Sequence, residues 1–109
     1  MRRMVLAAVL VPGAALAEFK AMTGAEIEAA LTDRALVYTD GATQDFRASG
    51  RTLYNAGRDS WGYWAVRGDA YCSQWPPSDG WFCYDMARDG DVLRFIAEDG
   101  SFTDGVYSD

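Results

Sequence analysis

The chain has 109 residues, 16 acidic against 10 basic side chains, a formal charge of −6 and no histidine. A chain this short holds one domain. Its acidic balance makes nucleic acid and anionic lipid poor partners, and the missing histidine removes the usual zinc ligand together with every Ser-His or Cys-His nucleophilic pair.

Basic Met1-Arg2-Arg3, the apolar run Met4 to Val11, the Pro12-Gly13 break and Ala15-Leu16-Ala17 follow one another in the order of an export signal. The apolar run is shorter than the ~20 residues a membrane helix needs. We expect residues 1–17 to be a signal peptide cleaved after Ala17, and residues 18–109 to be a single periplasmic or secreted domain with no membrane span. Loss of Arg2 and Arg3 takes the formal charge from −6 to −8. Every aromatic residue lies after the signal, so a small core is filled with large rings.

Thr23-Gly24-Ala25-Glu26 has capping-box spacing, and Ile27, Ala30 and Leu31 form an apolar stripe behind it, which predicts a short helix over residues 24–31. About two turns are unstable alone in water, so the helix must dock on something. Thr32-Asp33-Arg34 ends it. Ala35 to Thr39, Gln44 to Ala48 and Thr52 to Tyr54 read as strands separated by turns at Asp40-Gly41 and Ser49-Gly50. Asn55 to Gly62, rich in Gly, Asn, Asp and Ser, reads as a surface loop.

The stretch Tyr71 to Tyr84 reads as a hairpin closed by a disulfide between Cys72 and Cys83, with a turn at Pro76 to Asp79. Two-residue turns at Gly68-Asp69, Asp89-Gly90 and Asp99-Gly100 then predict a register. Val66 faces Tyr71, Trp64 faces Ser73, Met86 faces Leu93, Tyr84 faces Phe95, Asp85 faces Arg94 and Ala97 faces Phe102. One face carries Trp64, Val66, Tyr71, Trp75, Phe82, Tyr84, Met86, Leu93, Phe95, Ala97 and Phe102, with Ser73 as its small polar member; this is the expected core. The expected fold is mainly β, an antiparallel up-and-down meander of about seven strands, rolled toward a small barrel and covered by one N-terminal helix.

The opposite face brings Tyr63 and Trp81 beside Gln74, with Trp61 nearby. Rings next to an amide suit a sugar, an aromatic ligand or another protein. They equally suit a second small core beneath the first strands or the 55–62 loop. The carboxylate groups give less. Asp89-Gly90-Asp91 and Glu98-Asp99-Gly100 lack the alternating acids and distant Glu of a calcium loop and are read as turns. Arg67-Gly68-Asp69 is likewise read as a turn. Asp79 and Asp85 are placed in a turn and opposite Arg94, not as a glycosidase pair. No catalytic residue, metal ligand or cofactor is assigned.

Thr23-Gly24-Ala25-Glu26-Ile27, Trp64 to Asp69 followed by Tyr71-Cys72, and Cys83-Tyr84 followed by Asp89-Gly90-Asp91 together resemble a group of small exported bacterial proteins with a helix followed by a β-meander. The resemblance implies fold and export, and brings no functional residues with it. The expected function is a non-enzymatic binding or inhibitor module, with an envelope protein or a small ligand as partner. A small envelope hydrolase acting through carboxylates, or a purely structural envelope protein, is the alternative.

Overall fold

The computed structural model describes residues 18–109; the expected signal peptide lies outside the described residues. The elements are β1 (Lys20–Ala21), α1 (Gly24–Leu31), β2 (Arg34–Tyr38), β3 (Thr43–Phe46), β4 (Arg51–Asn55), β5 (Asp59–Arg67), β6 (Ala70–Gln74), β7 (Trp81–Asp89), β8 (Val92–Ile96) and β9 (Phe102–Tyr107). From β2 to β9 each strand pairs antiparallel with the next, and β9 returns to pair with β2. The meander therefore closes into an eight-stranded barrel, which removes the sheet edges that an open meander would expose. Two-residue β1 lies against the end of β7, through Lys20 with Arg88 and Ala21 with Ala87.

Helix α1 starts where the capping box predicts. The Thr23 side chain accepts from the Glu26 N–H and the Glu26 carboxylate accepts from the Thr23 N–H, satisfying two backbone donors that the helix itself cannot. Its stripe of Ile27, Ala30 and Leu31 plugs one end of the barrel, in a cluster with Leu36, Phe46, Met86 and Leu93. The helix is seated by backbone contacts at both ends. The Gly24 N–H donates to Asp69 in the β5–β6 turn at 2.8 Å, and Tyr107 Oη donates to the Ala30 carbonyl at 2.7 Å. A side chain at position 24 would collide with the Gly68 carbonyl, so the helix can approach the turn this closely only with glycine there.

The expected hairpin around the disulfide is present. Cys72 and Cys83 are bonded and directly opposed, Val66 faces Tyr71 and Trp64 faces Ser73, all across the Gly68-Asp69 turn and its neighbour. Four expectations need correction. Residues 55–62 are not a surface loop: β4 runs to Asn55 and β5 begins at Asp59, leaving a three-residue connection. The β7–β8 turn is Gly90-Asp91, not Asp89-Gly90, because Gly90, at φ +58°, occupies the first central position, as in the Gly68-Asp69 turn. The register is therefore two residues away from the expected one: Met86 faces Phe95, Tyr84 faces only Tyr71 of β6, and Asp85 lies opposite Ile96.

The third correction changes a face. Between β8 and β9 the Ala97 N–H donates to the Ser101 carbonyl and closes a three-residue turn, Glu98 to Gly100, so Phe102 pairs with Ile96, not Ala97. A shift of one residue inverts a strand. Phe102 consequently points outward, 55% exposed, and Thr103, Gly105 and Tyr107 point in. Arg94 pairs with Asp104, its neighbour on β9, through two bonds of 2.8 and 2.9 Å, and lies 3.7 Å from the ring centres of both Phe19 and Phe102. Phe82, also expected in the core, is 57% exposed. Its parity is inward, opposite Ser73, but β8 accompanies β7 only from Asp85 onward and so does not cover its other side.

The candidate binding site at the barrel mouth

The end of the barrel opposite α1 is plugged by nothing among the described residues. It opens into a cavity of about 560 Å³ whose wall is mostly aromatic: Tyr38, Tyr54, Tyr71, Tyr84, Trp75 and Phe95, with Gln44 and Ser73 among them and Asp40, Ser60, Trp61, Pro76 and Thr103 also lining it. Strand alternation explains the composition. Tyr38, Gln44, Tyr54, Tyr71, Ser73, Tyr84 and Phe95 have the inward parity of Leu36, Phe46, Thr52 and Met86, which lie deeper toward the helix. Trp75 follows β6 and turns its indole over β5. A Cβ at Gly62 would lie 2.5 Å from Trp75 Cε3, so the missing side chain at 62 makes room for the ring.

A hydrogen-bond chain fixes the polar groups of the cavity. Tyr38 Oη donates to Gln44 Oε1 at 2.6 Å, and Gln44 Nε2 donates to Thr52 Oγ1 at 2.9 Å and to Tyr71 Oη at 3.1 Å. Thr52 Oγ1 donates onward to the Asp45 carbonyl. Both ends of the buried Gln44 amide are thus satisfied within the barrel, which holds its orientation. Trp75 Nε1 donates to Ser73 Oγ at 3.1 Å and anchors the indole. Burial pushes the Tyr38 phenol well above its ordinary range. It pushes Tyr71 up to about 12, against the opposing effect of hydrogen bonds from Gln44 and Ser73. These phenols are neutral hydroxyls, not phenolates, throughout the physiological range.

The rings brace one another. Tyr71 lies edge-on to Phe95 at 5.2 Å and beside Tyr84 at 6.1 Å, Tyr38 is edge-on to Phe95 at 5.8 Å, and Tyr54 is edge-on to Trp75 at 6.1 Å. Such pairs resist rotation of the rings into the empty volume. The wall is preformed.

Trp61, Tyr63, Gln74 and Trp81, the residues singled out from the sequence, lie on the outer wall. Tyr63, Gln74 and Trp81 stand abreast across β5, β6 and β7, and Arg51 continues the row on β4. They do not form a second core: Trp61 is 40% and Tyr63 42% exposed. Arginines lie over them instead, Arg51 at 4.6 Å and Arg47 at 4.7 Å from the Trp61 ring centre and Arg67 at 4.4 Å from that of Trp81. The Gln74 amide is engaged, donating to the Asp79 carbonyl at 2.8 Å and so holding the β6–β7 loop. Trp61 is the one of the four that also borders the cavity.

Sequence reasoning assigned Tyr71, Ser73, Trp75, Tyr84 and Phe95 to the core and missed that one end of that core is vacant. Gln44 and Ser73, polar residues at inward positions, were the available signal. Among the described residues no three His, Cys, Asp or Glu side chains converge as metal ligands. Comparison of the chain with protein-family models, with curated proteins and with solved structures finds no match, so the cavity is interpreted from its own chemistry.

Proposed function

We propose that the protein is a non-enzymatic binding module of the cell envelope that takes a small ligand into the mouth of its barrel. The observation that carries this reading is the braced cavity of about 560 Å³ at the unplugged end. Its volume falls within the ~300–1,000 Å³ of small-ligand pockets, and an aromatic wall with a few oriented polar groups matches their composition. Asp40 is the single carboxylate on the wall among the described residues, which do not assemble the two-acid arrangement of a glycosidase there. The disulfide supports an oxidising location, periplasmic or secreted. Among the described residues no helix is long and apolar enough to cross a membrane.

Ligand-observed NMR with a fragment collection tests the reading, using the oxidised domain and a Ser73→Phe variant that fills the cavity. Fragments that bind the parent and not a variant with native near-UV circular dichroism support it. Binding unaffected by the filling side chain refutes it.

A second reading rests on the outer row of Arg51, Tyr63, Gln74 and Trp81. Exposed rings stacked with arginine are frequent anchors of protein interfaces, and an envelope protein docking there would make the domain an inhibitor or adaptor. Loss of partner capture in a Trp61→Ala, Trp81→Ala double variant, with Ser73→Phe silent, selects this reading over the first.

A further inference from the structure

The composition of the mouth narrows the kind of ligand. Among the described residues its wall contains no lysine or arginine, and its one formal charge is Asp40. Asp40 Oδ1 accepts the Ala42 N–H at 2.9 Å, and no described cation forms an ion pair with this carboxylate. Arg47, Arg51 and Arg67 lie along aromatic rings of the outer wall and Arg94 is bonded to Asp104, while Arg58 stands exposed in the β4–β5 connection beyond the Tyr54–Ser60 pair, outside the lining. The lining itself thus carries a single negative charge, in a chain whose residues 18–109 have a formal charge of −8.

The rings act in the same direction. The faces of phenol and indole rings carry the negative part of the aromatic quadrupole and attract cations. Four tyrosines and Trp75 surround one volume here. The buried phenols of Tyr38 and Tyr71 add oxygen lone pairs without adding a charge that would have to be neutralised. A compact ammonium such as a lysine head would have to give up strong hydration, which rings replace poorly. A quaternary ammonium is weakly hydrated and makes no hydrogen bonds that the wall must match. An anion would meet Asp40 and the rings with no lysine or arginine in the lining to receive it.

Resting on the reading of the mouth as a ligand site, we propose that it selects quaternary ammonium compounds bearing an apolar group, with the cationic methyls against the ring faces near Asp40 and the apolar part among Phe95 and Trp75. The volume is larger than a bare tetramethylammonium needs and leaves space for such a substituent.

The test compares three probes of nearly equal shape, phenyltrimethylammonium, tert-butylbenzene and benzenesulfonate, by tryptophan fluorescence and NMR titration of the oxidised domain. The cation binds about tenfold or more tighter than the neutral isostere, and the sulfonate binds weakest. Asp40→Asn keeps an oxygen for the Ala42 N–H and lowers affinity for the cation severalfold, leaving tert-butylbenzene unchanged. Equal or tighter binding of tert-butylbenzene or the sulfonate overturns the cation assignment and leaves the mouth as a ligand site. Failure of all three probes to bind at millimolar concentration overturns both.

Discussion

The two ends of the barrel are lined by the same strands and built to opposite ends. At the helix end Ile27, Leu31, Leu36, Phe46 and Leu93 are fully buried, apolar and interlocked. At the mouth the inward positions carry Tyr38, Gln44, Tyr54, Tyr71, Ser73 and Tyr84 around open space. Filling space with aliphatic carbon stabilises a small domain. Leaving space and bracing it with hydroxyl-bearing rings contributes less per residue. On the proposed reading, stability and recognition are separated along the barrel axis.

The largest expected effect comes from breaking the closed end. Phe46→Ala removes a fully buried ring that touches Trp64, Tyr71 and Phe95 and should cost about 3–5 kcal/mol in urea unfolding. Next is the staple: Cys72→Ala with Cys83→Ala opens a loop with a sequence separation of 11 and should cost about 3 kcal/mol. An intermediate effect is pH-dependent. The Tyr38 and Tyr71 phenols are raised in the fold, so the unfolded chain loses those protons first, above pH ~10. Stability should be intact below that pH and fall above it by about 1.4 kcal/mol per pH unit for each phenol, and Tyr71→Phe should reduce the slope measured between pH 10 and 12.

Smaller again is the helix cap, where Thr23→Ala should cost about 1 kcal/mol in the same unfolding assay. Smallest is Tyr84→Phe at the mouth, which removes only a hydroxyl lining the cavity and should change stability by less than about 0.5 kcal/mol. A Tyr84→Phe cost comparable to that of Phe46→Ala would erase the distinction between the two ends.

The sequence made much of the scaffold legible because its signals are local. The capping box placed α1, and the disulfide with the Gly68-Asp69 turn placed β5, β6 and the start of β7 in correct register. Errors arose where the position of one glycine within a turn decides. At Gly90 the misplacement moved the register by two and left the faces intact; at Gly100 one extra loop residue moved it by one and turned Phe102 outward. The expected ion pair of Asp85 with Arg94 failed for the same reason, and β9 supplied Asp104 in its place.

Period-two alternation, cap chemistry and cysteine placement are properties of neighbouring residues, and the sequence alone determined the meander, the helix and the pairing of Cys72 with Cys83. Closure of β9 onto β2, the choice of which end α1 plugs and the open volume between Tyr38, Tyr54, Tyr71 and Tyr84 were decided only by tertiary structure. The physical reason is that a cavity is a relation among side chains from several strands. Each of those residues, taken singly, reads as one more core aromatic.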